Sequence, residues 1–135
     1  MSKLLFLFML ALAATGLQAQ STKNYRLDFF NEKGERISSD AGVIQQKDLA
    51  GVQALNFKLF DKNGREVPFE TVTFTMVPTK GYVMDGTLSP GEVLPPGCLK
   101  QMQEGKGGGK LYMENLYLPG KQKLEETFKI TVNPS

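Results

Sequence analysis

A proline or glycine recurs eight times in the 20 residues from Pro78 to Gly97, a density that excludes a continuous helix there. Immediately before this run stands TVTFTMV, residues 71–77, with Val72, Phe74 and Met76 on one side of an extended chain and Thr71, Thr73 and Thr75 on the other. Such a period-2 alternation is the pattern of a strand with one buried face. A strand that gives way to turn chemistry divides the chain. Hairpin-like units precede it, and a short helix, a glycine-rich loop and two closing strands follow.

The same alternation appears at Tyr25, Leu27 and Phe29 against Arg26, Asp28 and Phe30, and at Leu55, Phe57 and Leu59 against Asn56, Lys58 and Phe60, within a strand expected over 52–60. The tetrad Asn31-Glu32-Lys33-Gly34 predicts a tight turn closed by glycine, with residues 35–38 returning as a partner strand. FFNEKGERI at 29–37 is echoed 30 residues later by LFDKNGREV at 59–67. Two hairpins that each use good turn residues account for this, and a duplication is left open. Asp61-Lys62-Asn63-Gly64 lacks the alternate acids and distal glutamate of a calcium loop, so it too reads as a turn. Pro68 marks an edge position or a bulge. Short strands are expected at 43–45 and around Tyr82, Val83 and Leu88. From Cys98 to Glu104 the spacing turns helical, with Cys98, Leu99 and Met102 on one face and Gly105 closing the helix. Strands at 110–118 and 124–132 follow, joined at 119–122, with Phe128, Ile130 and Val132 facing inward. At least six short strands and one short helix near residues 98–104 predict an all-β fold, an antiparallel β-sandwich.

The N-terminus has the form of a secretory signal: Lys3, an apolar run of 11 residues from Leu4 to Ala14, and small Ala19 before Gln20 at the expected cut. Leu17 is larger than the residue usually found three positions before such a cut. An apolar run of 11 falls short of the roughly 20 residues that span a bilayer as a helix. Removing residues 1–19 leaves 135 − 19 = 116 residues, the size of one domain, expected over residues 20–135, with no transmembrane span. Losing Lys3 takes the net charge from +2 to +1, too weak a field to draw nucleic acid. Cys98 is the only cysteine, so an exported chain must hold together through its core without an internal disulfide. Burial beneath the helix beside Met102 is one use for that thiol, and an intermolecular bridge giving a homodimer is the other.

There is no histidine, which removes imidazole acid/base chemistry, histidine metal sites and the common nucleophile triads. The acids sit at turns (Asp61, Glu66, Asp85, Glu92) or alternate along strands (Glu114, Glu126), as solvated surface does. Gly105-Lys106-Gly107-Gly108-Gly109-Lys110 imitates a phosphate loop, but a phosphate loop needs glycine where Glu104 stands and a hydroxyl where Leu111 stands. The three consecutive glycines read as a flexible connection. No catalytic residue, metal site or cofactor is expected. Tyr112 and Tyr117, with Lys106 and Lys110 nearby, form a candidate platform for a sugar or peptide. The exposed part of the loop from Tyr82 to Pro90, including Asp85, is a second candidate contact surface.

Three segments resemble the C-terminal domain of GldM-type proteins of the gliding-motility and type IX secretion machinery of Bacteroidota. They are AGVQALNFKLFDKNGREVPFETVTFTMVP from Ala50, SPGEVLPPGCLKQMQEGKGGGKLYMENL from Ser89, and LPGKQKLEETFKITV from Leu118. The resemblance implies an immunoglobulin-like sandwich and a role in contacting an envelope or surface protein. It does not carry over motor coupling, because a cleavable signal stands in place of an anchoring helix and the preceding domains are missing. Residues and resemblance together lead us to expect an exported, non-catalytic interaction domain, periplasmic, outer-membrane associated or secreted. The alternative is a secreted carbohydrate- or peptide-binding module.

Overall fold

A computed structural model describes residues 24–134 of the chain. The expected signal sequence, the Ala19–Gln20 cut and the polar residues through Lys23 lie outside the described residues. The chain forms β1 (Tyr25–Phe30), β2 (Arg36–Ile37), β3 (Val43–Gln45), β4 (Asn56–Asp61), β5 (Glu66–Val67), β6 (Thr71–Pro78), β7 (Met84–Leu88), α1 (Pro96–Glu104), β8 (Gly109–Leu118), β9 (Gln122–Lys123) and β10 (Phe128–Asn133). One sheet has the order β2-β1-β4-β5; the other has the order β3-β10-β8-β6-β7, with β9 also pairing β8. The inner faces of both sheets and of α1 supply one contiguous core, from Leu27, Phe29 and Leu59 on one side to Phe74, Met76, Leu111 and Ile130 on the other. This is an all-β sandwich with one α-helix among the described residues.

The smaller sheet shows what the repeated sequence does. In each hairpin the first turn residue, Asn31 or Asp61, folds its side chain back over the turn: Asn31 Oδ1 accepts the N–H groups of Lys33 (2.9 Å) and Glu35 (3.0 Å), and Asp61 Oδ1 those of Asn63 (2.8 Å) and Arg65 (3.0 Å). Gly34 and Gly64 take the same left-handed conformation, φ 80° and 81°. β1 and β4 then pair antiparallel with Asp28 opposite Lys58, which are equivalent positions of the two copies (58 − 28 = 30). The two hairpins are therefore related by a local two-fold axis through that pair.

The outer face of this sheet is less polar than its alternation implied. Asp28 points outward yet is 4% exposed, because Arg26 (3.1 Å) and Arg36 (3.4 Å) lie over it. Its hydrogen bond raises the pKa of the Arg36 guanidinium above its ordinary value. Phe30 and Phe60, also outward, approach to 6.5 Å between ring centroids, with Arg26 over Phe60 and Lys58 over Phe30. Cationic side chains cover what would otherwise be exposed rings.

Four expectations about the strands are corrected. The sandwich is not wholly antiparallel: β3 runs parallel to β10, which the distance in sequence between 43–45 and 131–133 allows without a crossover helix. The strand expected from residue 52 begins at Asn56, because the carbonyls of Leu49 and Val52 are taken by the Gln103 side chain (2.8 and 2.7 Å). The strand expected from residue 124 begins at Phe128, after Leu124 N–H has bonded Leu116 C=O (2.8 Å). Tyr82 and Val83 stay outside β7.

The glycine run is packed and does not form a slack connection. Thr79 Oγ1 donates to Gly107 C=O (2.8 Å) and Thr79 N–H to Gly108 C=O (3.2 Å), tying the run to the end of β6. Gly108 has φ +70°, and a Cβ there would fall on the Val132 carbonyl oxygen. Gly120 has a similar φ of +86° but open space around it. Gly108→Ala is expected to lower stability by at least about 2 kcal/mol and Gly120→Ala by about 1 kcal/mol, read as falls in urea midpoint at unchanged m. Equal losses would show that the contact with β10 contributes nothing.

Candidate functional site

The register of the larger sheet decides which candidate residues share a face. Asp85, Thr75, Tyr112 and Lys129 are successive cross-strand partners on β7, β6, β8 and β10, so their side chains form one row on the outer surface. Thr87, Thr73 and Glu114 make the neighbouring row, and Val77, Lys110, Thr131 and Val43 the row on the other side. Tyr117 lies on the same face opposite Thr71. Four candidates, Asp85, Lys110, Tyr112 and Tyr117, are thus brought onto one surface, spanning about 15 Å from β7 to β10 at ordinary strand spacing. Tyr112 and Tyr117 are half-buried, while Asp85 and Lys110 are exposed.

Lys106 and Tyr82 are not part of these rows. Lys106 is exposed in the connection after α1, and Tyr82 precedes β7 with 91% of its surface exposed, followed by Val83 at 57%. Sequence reasoning passed over Thr73, Thr75, Thr87, Lys129 and Thr131 as site residues. The signal was present: threonine alternating with Val72, Phe74 and Met76 places three hydroxyl side chains on the face opposite the core.

This face offers hydroxyls, two phenol rings and scattered charges, a chemistry suited to polar contact. The acids on it, Asp85 and Glu114, stand two strands and one row apart, about 12 Å between backbone positions.

The clefts lie mostly elsewhere. One of about 470 Å³ is lined by Phe30, Phe57, Pro68, Phe69, Pro90 and Glu92, among others. Its acids serve local structure: Glu92 accepts the Ser89 N–H (2.6 Å), Glu66 lies 3.9 Å from Lys58, and Glu32 accepts the Gln53 N–H (2.9 Å), which holds its carboxyl below its ordinary pKa. A cleft of about 290 Å³ beside buried Asp28 is bordered by Arg26, Arg36, Asp40 and Lys129. Lys110 lines another of about 290 Å³ with Val77, Thr79 and Thr131.

The fold and this surface define a two-sheet all-β domain with an open polar sheet face. No family model matches the chain, and no curated protein or solved structure matches it either. Among the described residues no helix is long and apolar enough to cross a membrane.

Cys98 is fully buried on the inner face of α1, and burial pushes its thiol up to about 11. A neutral, covered sulfur reacts slowly. The folded protein at pH 8 is expected to resist a thiol reagent that labels it fully in denaturant. Rapid stoichiometric labelling of the native chain would reinstate the intermolecular bridge.

Proposed function

We propose that the chain is an exported, non-catalytic protein-interaction domain of the bacterial envelope, immunoglobulin-like in fold and accessory to the gliding-motility and type IX secretion machinery whose GldM-type C-terminal domain it resembles. The observation that carries the protein-contact reading is the edge of the larger sheet. Among the described residues β7 has a neighbour on one side only, and Tyr82 and Val83, largely exposed, lead into it. An unpaired strand edge beside exposed apolar side chains is a common way for one protein to take hold of another. The export reading rests on the apolar run from Leu4 to Ala14.

A second reading, a secreted module for carbohydrate or peptide, is favoured by Tyr112 and Tyr117, which keep part of their rings in solvent on one face beside Thr75 and Thr71.

A cross-linking pull-down with the chain from residue 20 separates the two. Protein capture from envelope extracts is expected to fall at least about tenfold when Tyr82→Ser and Val83→Ser are combined, and to survive Tyr112→Ala with Tyr117→Ala. Recovery of glycans alone, abolished by the tyrosine pair, would replace the first reading with the second.

A further inference from the structure

The hydrogen-bond register fixes which main-chain groups of β7 are unused. Thr79 N–H bonds Gly108 C=O (3.2 Å) and continues the ladder of Thr73, Thr75 and Val77 with Glu114, Tyr112 and Lys110. Odd-numbered residues of β6 therefore direct their main-chain groups at β8 and even-numbered ones at β7. Val72, Phe74 and Met76 meet Leu88, Gly86 and Met84, which leaves the N–H and C=O of Asp85 and Thr87 aimed away from the sheet. Among the described residues these groups have no backbone partner. At the next such position, Ser89, the edge is closed, because Ser89 N–H bonds Glu92 Oε1 (2.6 Å) and its C=O accepts Glu92 N–H (3.1 Å). The open edge is two residues long.

We propose that a second copy of this chain occupies it, β7 pairing antiparallel with β7 about a two-fold axis through Gly86. The proposal rests on reading this edge as the protein-contact surface and names the partner. With the axis at Gly86, both open positions are used: Asp85 faces Thr87 of the second copy, Thr87 faces Asp85, and the two pairs exchange four main-chain hydrogen bonds. Asp85 and Thr87 both project to the outer face, as partners of Thr75 and Thr73. Each carboxylate thus stands opposite a hydroxyl that can donate to it. On the inner face Met84 meets Leu88 of the second copy and glycine meets glycine.

Neighbouring registers are worse. An axis at Asp85 sets two carboxylates directly opposite, and like charges so placed are destabilising. An axis at Thr87 sets Asp85 against Ser89, whose main-chain groups are already taken. β7 also lacks the usual guards of an edge: it contains no lysine or proline, and its single charge is the one that self-pairing matches to a hydroxyl. Tyr82 and Val83 lie beside the seam and add apolar area. With Cys98 buried, the association is non-covalent.

Sedimentation equilibrium of the chain from residue 20, from about 1 μM to about 1 mM, is the test, since that range covers weak to moderate self-association. A monomer–dimer equilibrium is expected. Thr87→Asp sets introduced carboxylates opposite Asp85 at both ends of the seam and is expected to raise the dimer Kd at least about tenfold. Asp85→Lys combined with Thr87→Lys is expected to be monomeric alone and to form a heterodimer with the Thr87→Asp chain. A wild-type chain that stays monomeric throughout, or a dimer indifferent to Thr87→Asp, overturns the proposal. If the wild type is monomeric while Tyr82→Ser with Val83→Ser still abolishes capture of an envelope protein, the occupant is that protein, and the contact reading stands without self-pairing. If the dimer forms while the same pair leaves capture unchanged, self-pairing stands and the envelope contact lies elsewhere.

Discussion

One inserted residue at Asn115 keeps the larger sheet facing its core. β8 carries Leu111 and Met113 inward on odd positions and Leu116 and Leu118 inward on even ones, so the alternation changes phase between Met113 and Leu116. A regular strand would turn Leu116 and Leu118 to solvent. The register between β6 and β8 absorbs the change: Thr73 pairs with Glu114 but Thr71 with Tyr117, two residues of β6 against three of β8. Asn115, at φ 50°, is the residue left over, and asparagine accepts that conformation better than most. All four apolar side chains are buried in consequence. Beyond the bulge β8 pairs β9 and the first residue of β6, while β10 and the rest of β6 pair the part before it, so the bulge sets how those two ends of the sheet meet.

The bulge also arranges the surface. It returns Tyr117 to the outer face, which a strict alternation from Tyr112 would have denied it, and so places both tyrosines beside the threonines of β6. In the smaller sheet order arises differently, from the same turn used twice. The Asx side chains of Asn31 and Asp61 hold equivalent turns, and antiparallel pairing of the two units brings Asp28 opposite Lys58. One sheet is organised by an irregularity and the other by a repetition.

Much of this was legible in the chain. The alternation named the inward residues of β1, β4 and β6 correctly, and the spacing of Cys98, Leu99 and Met102 found the buried face of α1. Local patterns report local structure. The parallel pairing of β3 with β10 was not legible, because nothing in three residues states which distant strand they will join. Nor was the burial of Asp28, since its alternation marks it as outward and only the positions of Arg26 and Arg36 cover it. Of the candidate surface, the individual residues could be named, but the rows joining Asp85 to Tyr112 and Lys110 to Val77 depend on register across strands. The glycine run misled for a related reason: its freedom is used for close approach to Val132 and the end of β6.

The edges of the two sheets are protected unequally, and that inequality bears on function. β2 and β5 are two residues long, β5 stopping just before Pro68, while Arg36 of β2 lies over Asp28. β3 has three residues and lies between two short 3-10 turns. β7, with five residues, is the longest of the four edges and carries none of these devices. An open edge invites pairing with whatever extended chain it meets, which is why folded proteins usually shorten, cover or interrupt such strands. Three of the four are treated in that way here. The bare edge, entered through exposed Tyr82 and Val83, therefore supports a contact surface more directly than any cleft in the molecule. The cleft lined by Phe30 and Phe69 has its acids engaged in turns and ion pairs, whereas Asp85 and Thr87 hold main-chain groups that nothing within the chain reaches among the described residues.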